Sequence, residues 1–314
     1  YRENVLLSGS VIVKNPDGFL PGNESPKMVF YGSLALVYLL LTLFWLCLLV
    51  RWWTEFAHFH FLLGAVTFLG LVEAIMRYAH FTVWNQTGLA HRPLLIAAFL
   101  SSVIKSVSAF FTTLLYAQGW GVTQAGLERC TLRKVQGLSV VYALTATCHH
   151  ILLNVTDFPA LPTATLFYCL LLLAAIVNGA ILFWIFSGLS NLARTLQELK
   201  ETEKLLFLER LWYVVFVALA AASMSMLCWL LDASRSVELR WNHQWIFSDG
   251  AFHTIFVLVL AVLMYLLVPS TKSKNYGYTA AAGEADTVEG VKATGIWADE
   301  KHPDETEDSR VAPE

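Results

Sequence analysis

Charge is what this sequence has least of. Asp, Glu, Lys and Arg make up 14% of its 314 residues, against about 25% in an ordinary soluble domain. That is too little to cover a soluble core of this size, and a net charge of -3 leaves no basic footprint for nucleic acid. Cysteine is also scarce. The five present, Cys47, Cys130, Cys148, Cys169 and Cys228, fall within or at the ends of apolar runs, so no disulfide framework is indicated and they are expected to pack in the interior. Catalytic signatures are missing as well. Nine His occur, yet there is no His-Glu-x-x-His, His-x-x-x-His or Gly-x-Ser-x-Gly. His58 and His60 are two apart, and His149 and His150 are adjacent, so neither pair shares a helix face. The sequence predicts a protein that is not an enzyme and holds no metal.

What it has in excess is apolar sequence. The apolar fraction is 56%, above the roughly 45–50% of soluble domains. It is gathered into seven runs at 28–51, 59–83, 94–120, 132–153, 161–189, 211–231 and 245–268. A bilayer-spanning helix needs about 20 such residues. The pattern predicts an all-α membrane protein, a seven-transmembrane helix bundle. A soluble helical protein would alternate polar and apolar faces, whereas 34–50 is apolar all round.

Two signals address orientation. Arg51, Arg129, Arg133, Lys134, Arg194, Lys200, Lys204, Arg210, Lys272 and Lys274 fall on one side. Arg2, Lys14, Lys27, Arg92, Arg235 and Arg240 fall on the other. The excess of bases marks the cytosolic side and places the N-terminus in the lumen. Three glycosylation sequons, at Asn23, Asn85 and Asn154, fall in the connections assigned to the lumen. Outside the bundle, 5–14 reads as a β-strand with no partner, the expected remnant of a lumenal β-domain. The stretch after Tyr278 holds ten acids against three bases and reads as a disordered acidic cytosolic tail. The expected organisation is a lumenal β-domain end and linker at 1–27, the bundle at 28–270 and the tail at 271–314.

Chemistry is expected where charge enters the membrane, because a charge near the bilayer centre costs at least ~2.5–3.5 kcal/mol unless it meets a partner, a cavity or water. Glu73 and Arg77 are four apart on the second run and share a face. Lys105 on the third lies at a depth similar to that of Glu73, about 15–17 Å from the lumenal ends at 1.5 Å per residue. Arg77 and Asp249 lie nearer the lumen, within about 10 Å of it. His80 and His253 continue those two faces. Two charged layers are therefore expected. They would either hold helices together or frame a polar cavity, best fitted to a phospholipid head group with its phosphate on Arg77 or Lys105 and its amine on Glu73 or Asp249.

The same residues carry a resemblance. Asn15-Pro-Asp-Gly-Phe-Leu-Pro-Gly leading to Phe30-Tyr31, then Phe68-Leu69-Gly70-Leu71-Val72-Glu73, Ile104-Lys105, Gly119-Trp120-Gly121-Val122, Phe183-Trp184-Ile185-Phe186, Asp249-Gly250-Ala251-Phe252 and Pro269-Ser270-Thr271-Lys272 follow one another in order. Together they resemble the GOLD-domain seven-transmembrane (lung seven-transmembrane receptor) family, most of all its transmembrane protein 87 branch. The resemblance implies a lumenal GOLD β-sandwich ahead of the bundle, whose last strand would be 5–14. It further implies residence in the Golgi and related endomembranes, and a part in membrane protein trafficking among Golgi, endosome and plasma membrane. A lipid-accessible cavity, membrane or secreted protein cargo and a bound phospholipid are implied with it. A cation channel regulating Golgi ion or pH balance, or a ligand-activated receptor, are the alternatives; cytosolic trafficking or signalling partners are unspecified. Departures are Asn178 where an acid is usual in the fifth span, Ala125 where a proline often follows the third, and Val268 where a base often precedes the proline. The missing acid at Asn178 weakens the channel alternative. Candidate cavity residues are thus Glu73, Arg77, Lys105, Asp249, His253 and Asn178.

Overall fold

A computed structural model describes residues 14–51, 58–120, 122–123, 127–155, 161–233 and 243–268. The strand expected at 5–14 and the tail expected at 271–314 lie essentially outside them. The described chain forms seven helices. They are α1 (Ser25–Arg51), α2 (His58–Thr87), α3 (Arg92–Ala117), α4 (Arg129–Val155), α5 (Leu161–Glu198), α6 (Thr202–Ala233) and α7 (Ala251–Leu266). A π-helical turn, Ile246–Gly250, feeds α7 without a break: Ala251 N–H donates to the Ile246 carbonyl five residues back.

Each helix packs against the next, α3 also packs on α5, and α7 touches α1. Two apolar cores result. One joins α1, α2 and α7 through residues such as Tyr31, Trp45, Val66 and Leu260. The other joins α3 to α6 through Leu114, Val135, Ile185 and Leu208. Leu263 packs against both. The outer faces are apolar too, with Leu40 on α1, Phe183 on α5 and Tyr265 on α7 well exposed, as a lipid-facing surface requires. Helices α1, α2, α3, α5 and α6 carry stretches long and apolar enough to cross a membrane, while the apolar stretch of α7 is shorter. Helix α4 is the most polar. Its Ser139 and Thr145 hydroxyls donate to carbonyls one turn back, at 2.8 and 3.0 Å, which satisfies them within the helix.

Helix ends explain the tight reversals. After Ala117, Gly119 adopts φ 84°. Trp120 N–H donates to Leu115 and Gly119 N–H to Tyr116, the paired bonds of a Schellman stop. The same pair closes α5, from Glu201 to Leu196 and from Lys200 to Gln197, with Lys200 held at φ 57°. Between α5 and α6 the chain thus reverses over Leu199, Lys200 and Glu201. At Gly188 α5 lies close against the end of α3: a Cβ there would stand 2.8 Å from the Ala117 carbonyl oxygen. The cysteines depart from expectation. Cys47, Cys130, Cys148 and Cys169 are exposed on the outer faces and do not pack inside.

Two outcomes follow for thermal unfolding in detergent. Gly188→Val should lower Tm, because overpacking against fixed backbone costs about 1–3 kcal/mol, whereas Gly137→Ala, with open space around it, should not. Lys200→Gly should raise Tm, since glycine relieves a left-handed conformation that costs a side chain about 1 kcal/mol.

Candidate functional site

The two charged layers expected from spacing are one connected cluster. Glu73 on α2 is 2% exposed. Its Oε2 stands 2.5 Å from Lys105 Nζ on α3, its Oε1 accepts from Arg77 Nε at 3.2 Å, and His253 Nε2 on α7 lies 3.9 Å away. Asp249, in the π-helical turn, accepts from the Tyr31 hydroxyl at 2.6 Å and sits 3.3 Å from His253 Nε2. Arg77 NH1 and Lys27 Nζ each approach Asp249 to 4.0 Å. Arg77 and His253 thus tie the deeper acid to the shallower one. Glu73 and Asp249 meet two permanent bases, Arg77 and Lys105, and the formal charges of these four cancel. Lys27, at the rim, is paired with Glu24 at 2.9 Å.

Aromatic rings supply the walls. The Arg77 guanidinium lies over Tyr31 and Phe99 at 5.2 and 5.5 Å, and Lys105 Nζ lies 4.4 Å from the centre of the Phe256 ring. Such contacts are worth about 0.5–2 kcal/mol where water is excluded. The π-helical turn carries Asp249, one turn ahead of His253 in α7, and both reach Tyr31; π-helical turns are frequent at functional sites.

Of the expected residues, Glu73, Arg77, Lys105, Asp249 and His253 are brought together and Asn178 is not. The Asn178 amide donates to the Ala174 carbonyl on its own helix, α5, at 2.8 Å. His80 is buried at 3% but packs against Phe81 and Trp84, outside the cluster. Tyr31 and Lys27 were not picked out by spacing. A signal existed: Tyr31, Leu34, Tyr38, Thr42, Trp45 and Leu49 form the buried stripe of α1, recurring every three or four residues, and four of the six carry polar tips.

The sequons also sit differently from expectation. Asn85 and Asn154 belong to the last turns of α2 and α4, not to connections. The Asn85 amide is engaged, accepting from Leu20 N–H at 3.1 Å and donating to the Asp17 carbonyl at 3.0 Å. It clamps the turn at Asn15–Gly18 onto the end of α2. Asn23 is exposed ahead of α1.

The open space is apolar. A cavity of about 210 Å³ lies between α2, α3, α6 and α7, in the half of the bundle where α2 begins and α3 ends. Leu63, Val66, Phe110, Tyr116, Phe207, Leu211, Val215 and Leu263 are among its walls. Phe256, the ring beneath Lys105, is its lid toward the cluster. A head group between charged layers would have to displace ion pairs already made, whereas an alkyl chain fits the cavity as it stands. Among the described residues, no group of three or more His, Cys, Asp or Glu side chains is placed to hold a metal.

Comparison with known sequences agrees with this architecture. The family model described as GOST, seven transmembrane domain, matches residues 26–274. Transmembrane protein 87A of Xenopus tropicalis is 28% identical over 90% of this chain and 52% of its own length. Transmembrane protein 87B of Homo sapiens is 26% identical over 89% of this chain and 50% of its own. Membrane protein PTM1 of Saccharomyces cerevisiae is 23% identical over 87% and 54%. The chain spans about half the length of these relatives.

Removing one member of a buried ion pair leaves a charge uncompensated, at about 3–5 kcal/mol. Glu73→Gln strands both Lys105 and Arg77 and should lower Tm in nanodiscs most. Lys105→Met should cost less, since Arg77 still holds Glu73. The double variant should fall short of the sum of the two losses; strict additivity would show that the pair is not coupled.

Proposed function

Since the chain belongs to the GOST seven-transmembrane family, in its transmembrane protein 87 branch, we propose that it is a Golgi and endomembrane protein, not an enzyme, that assists membrane protein trafficking by holding a lipid or lipid-bearing cargo within its bundle. The observation that carries this reading is the apolar cavity beneath a neutralised charge cluster. An apolar cavity of about 150 Å³ can stay dry and take up apolar molecules, and this one is larger. Its occupant is an acyl chain, from a bound phospholipid or from acylated cargo. The cluster ties α1, α2, α3 and α7 together above it.

The paired state of Glu73, Arg77, Lys105 and Asp249 supports carriage over conduction. A cation crossing here would have to separate ion pairs and then traverse an apolar space. The charge count along the connections supports a lumenal N-terminus and a cytosolic C-terminus, which puts the cavity in the cytosolic half and the cluster toward the lumen.

Two measurements test the reading. Protein purified in mild detergent should retain phospholipid by native mass spectrometry, and Ala109→Trp, which fills the cavity, should reduce that retention several-fold without altering helical content. Retention unchanged by a filled cavity, together with cation flux in liposomes abolished by Glu73→Gln, would replace carriage with a channel. For orientation, protease added to sealed Golgi vesicles should remove an epitope placed after Tyr278; full protection would reverse the topology.

A further inference from the structure

Two histidines outside the charge cluster meet at the corner between α2 and α3. His80 is 3% exposed, packs against Phe81 and Trp84, and donates from its ring to the His91 carbonyl. Its Nδ1 is buried without a hydrogen-bond partner, so the donor is Nε2 and the neutral ring leaves Nδ1 as a bare lone pair. His91 is exposed and is the N-cap of α3. Its Nδ1 accepts from Leu94 N–H at 3.4 Å, the task usually given to a Ser, Asp or Asn side chain. The His91 carbonyl also receives Leu95 N–H at 3.2 Å. One carbonyl thus joins the end of α2 to the start of α3.

Both rings have to be uncharged for this corner to stand. A proton on His80 Nδ1 would be a buried donor with no acceptor. Among the described residues, the charged or titratable groups that face His80 are Arg77 one turn back on its own helix, His91 in the connection and Glu24 ahead of α1. Glu24 is already paired with Lys27, and Arg77 repels a second positive charge. A proton on His91 Nδ1 removes the lone pair that caps α3. It also sets a positive charge at the positive end of the helix dipole, beside Arg92. The same corner holds the chain that enters α1. Phe19 N–H donates to the Asn85 carbonyl at 3.0 Å, and the Phe19 ring stands against Gly88, which turns the chain out of α2 at φ 75°.

We infer that His80 and His91 form an acid-sensitive latch, in which protonation of either ring opens the α2–α3 corner and frees the turn at 15–20 that rests on it. In the opened corner both are ordinary imidazoles, which titrate near about pH 6.5; in the closed one each ring is held neutral by its surroundings. Opening therefore takes up protons. The latch is at full strength above about pH 6.5 and weakens below it, by up to tenfold per histidine for each pH unit. The place of the latch in the cell rests on the lumenal N-terminus argued above, which puts the corner in the lumen, where endomembrane compartments acidify. Its chemistry does not depend on that orientation.

The test is amide hydrogen exchange of the full chain in nanodiscs, read by mass spectrometry at about pH 7.5 and about pH 5.5 and corrected for the intrinsic pH dependence of exchange. Peptides covering 15–20 and 88–96 should lose protection roughly tenfold or more in acid, while those covering 69–77 around Glu73 keep theirs. The double variant His80→Gln with His91→Asn should abolish the loss. The Gln amide can still donate to the His91 position's carbonyl, and Asn is a good cap that does not titrate. Unchanged protection of 15–20 and 88–96 in acid overturns the proposal. So does an equal loss over 69–77, which assigns the acid sensitivity to the whole bundle, and so does a loss that persists in the double variant. Should His80→Gln not fold, His91→Asn alone decides: the acid loss at Leu94 and Leu95 should shrink several-fold, and an undiminished loss overturns the latch. Acid-labile exchange together with full protection of the epitope after Tyr278 would uphold the latch and overturn only its assignment to the lumen.

Discussion

The Glu73 carboxylate, held between Lys105 and Arg77 inside an apolar bundle, is the interaction on which the rest of the arrangement depends. Its two oxygens engage α3 on one side and its own helix on the other. Arg77 and His253 then connect it to Asp249, and Asp249 to Tyr31 of α1. Four helices are fixed to one another through a set of charges none of which could stand alone in hydrocarbon. A purely apolar interface at this depth would leave helix rotation undetermined, because lipid tails compete equally well for apolar side chains. Directional ion pairs and the Tyr31 hydroxyl bond specify which face of each helix turns inward.

The cluster divides the bundle. Toward the end where α2 finishes, aromatic rings and paired charges fill the interior; toward the end where α2 begins, the space between α2, α3, α6 and α7 is open and apolar. Phe256 belongs to both regions, bearing Lys105 on one side and facing the cavity on the other.

Much of this was legible in the sequence. The helices were, because seven long apolar runs admit few other structures. So was the meeting of Glu73, Arg77, Lys105, Asp249 and His253 in one region, because charges in such runs are few and their depth follows from residue number. What stayed hidden was that the two layers touch. Arg77 belongs by sequence to the shallower layer with Asp249, yet its side chain also holds Glu73 one turn away, so two layers became one. The head-group cavity expected between them disappeared for the same reason: the charges are consumed by one another. Asn85 was read as a sequon, and its role as a clamp on the entering chain requires knowing that the turn at Asn15–Gly18 folds back on α2. Asn178, singled out by family resemblance, bonds to its own helix, which no linear pattern distinguishes from a bond across helices.

Lys204 illustrates the opposite error. By sequence it is one more base in a cytosolic connection, counted only for orientation. The Schellman stop at Lys200 changes its meaning, because a three-residue reversal starts α6 almost at once and puts Lys204 in its first turn, where it is buried. A base on a longer loop would be solvated and energetically neutral. Held in the first helical turn, on the same face as Phe207 and Leu211, it is buried, whereas Glu198 and Glu201 at the reversal are exposed. Its burial is a consequence of where α6 begins, which no count of bases along the connections conveys.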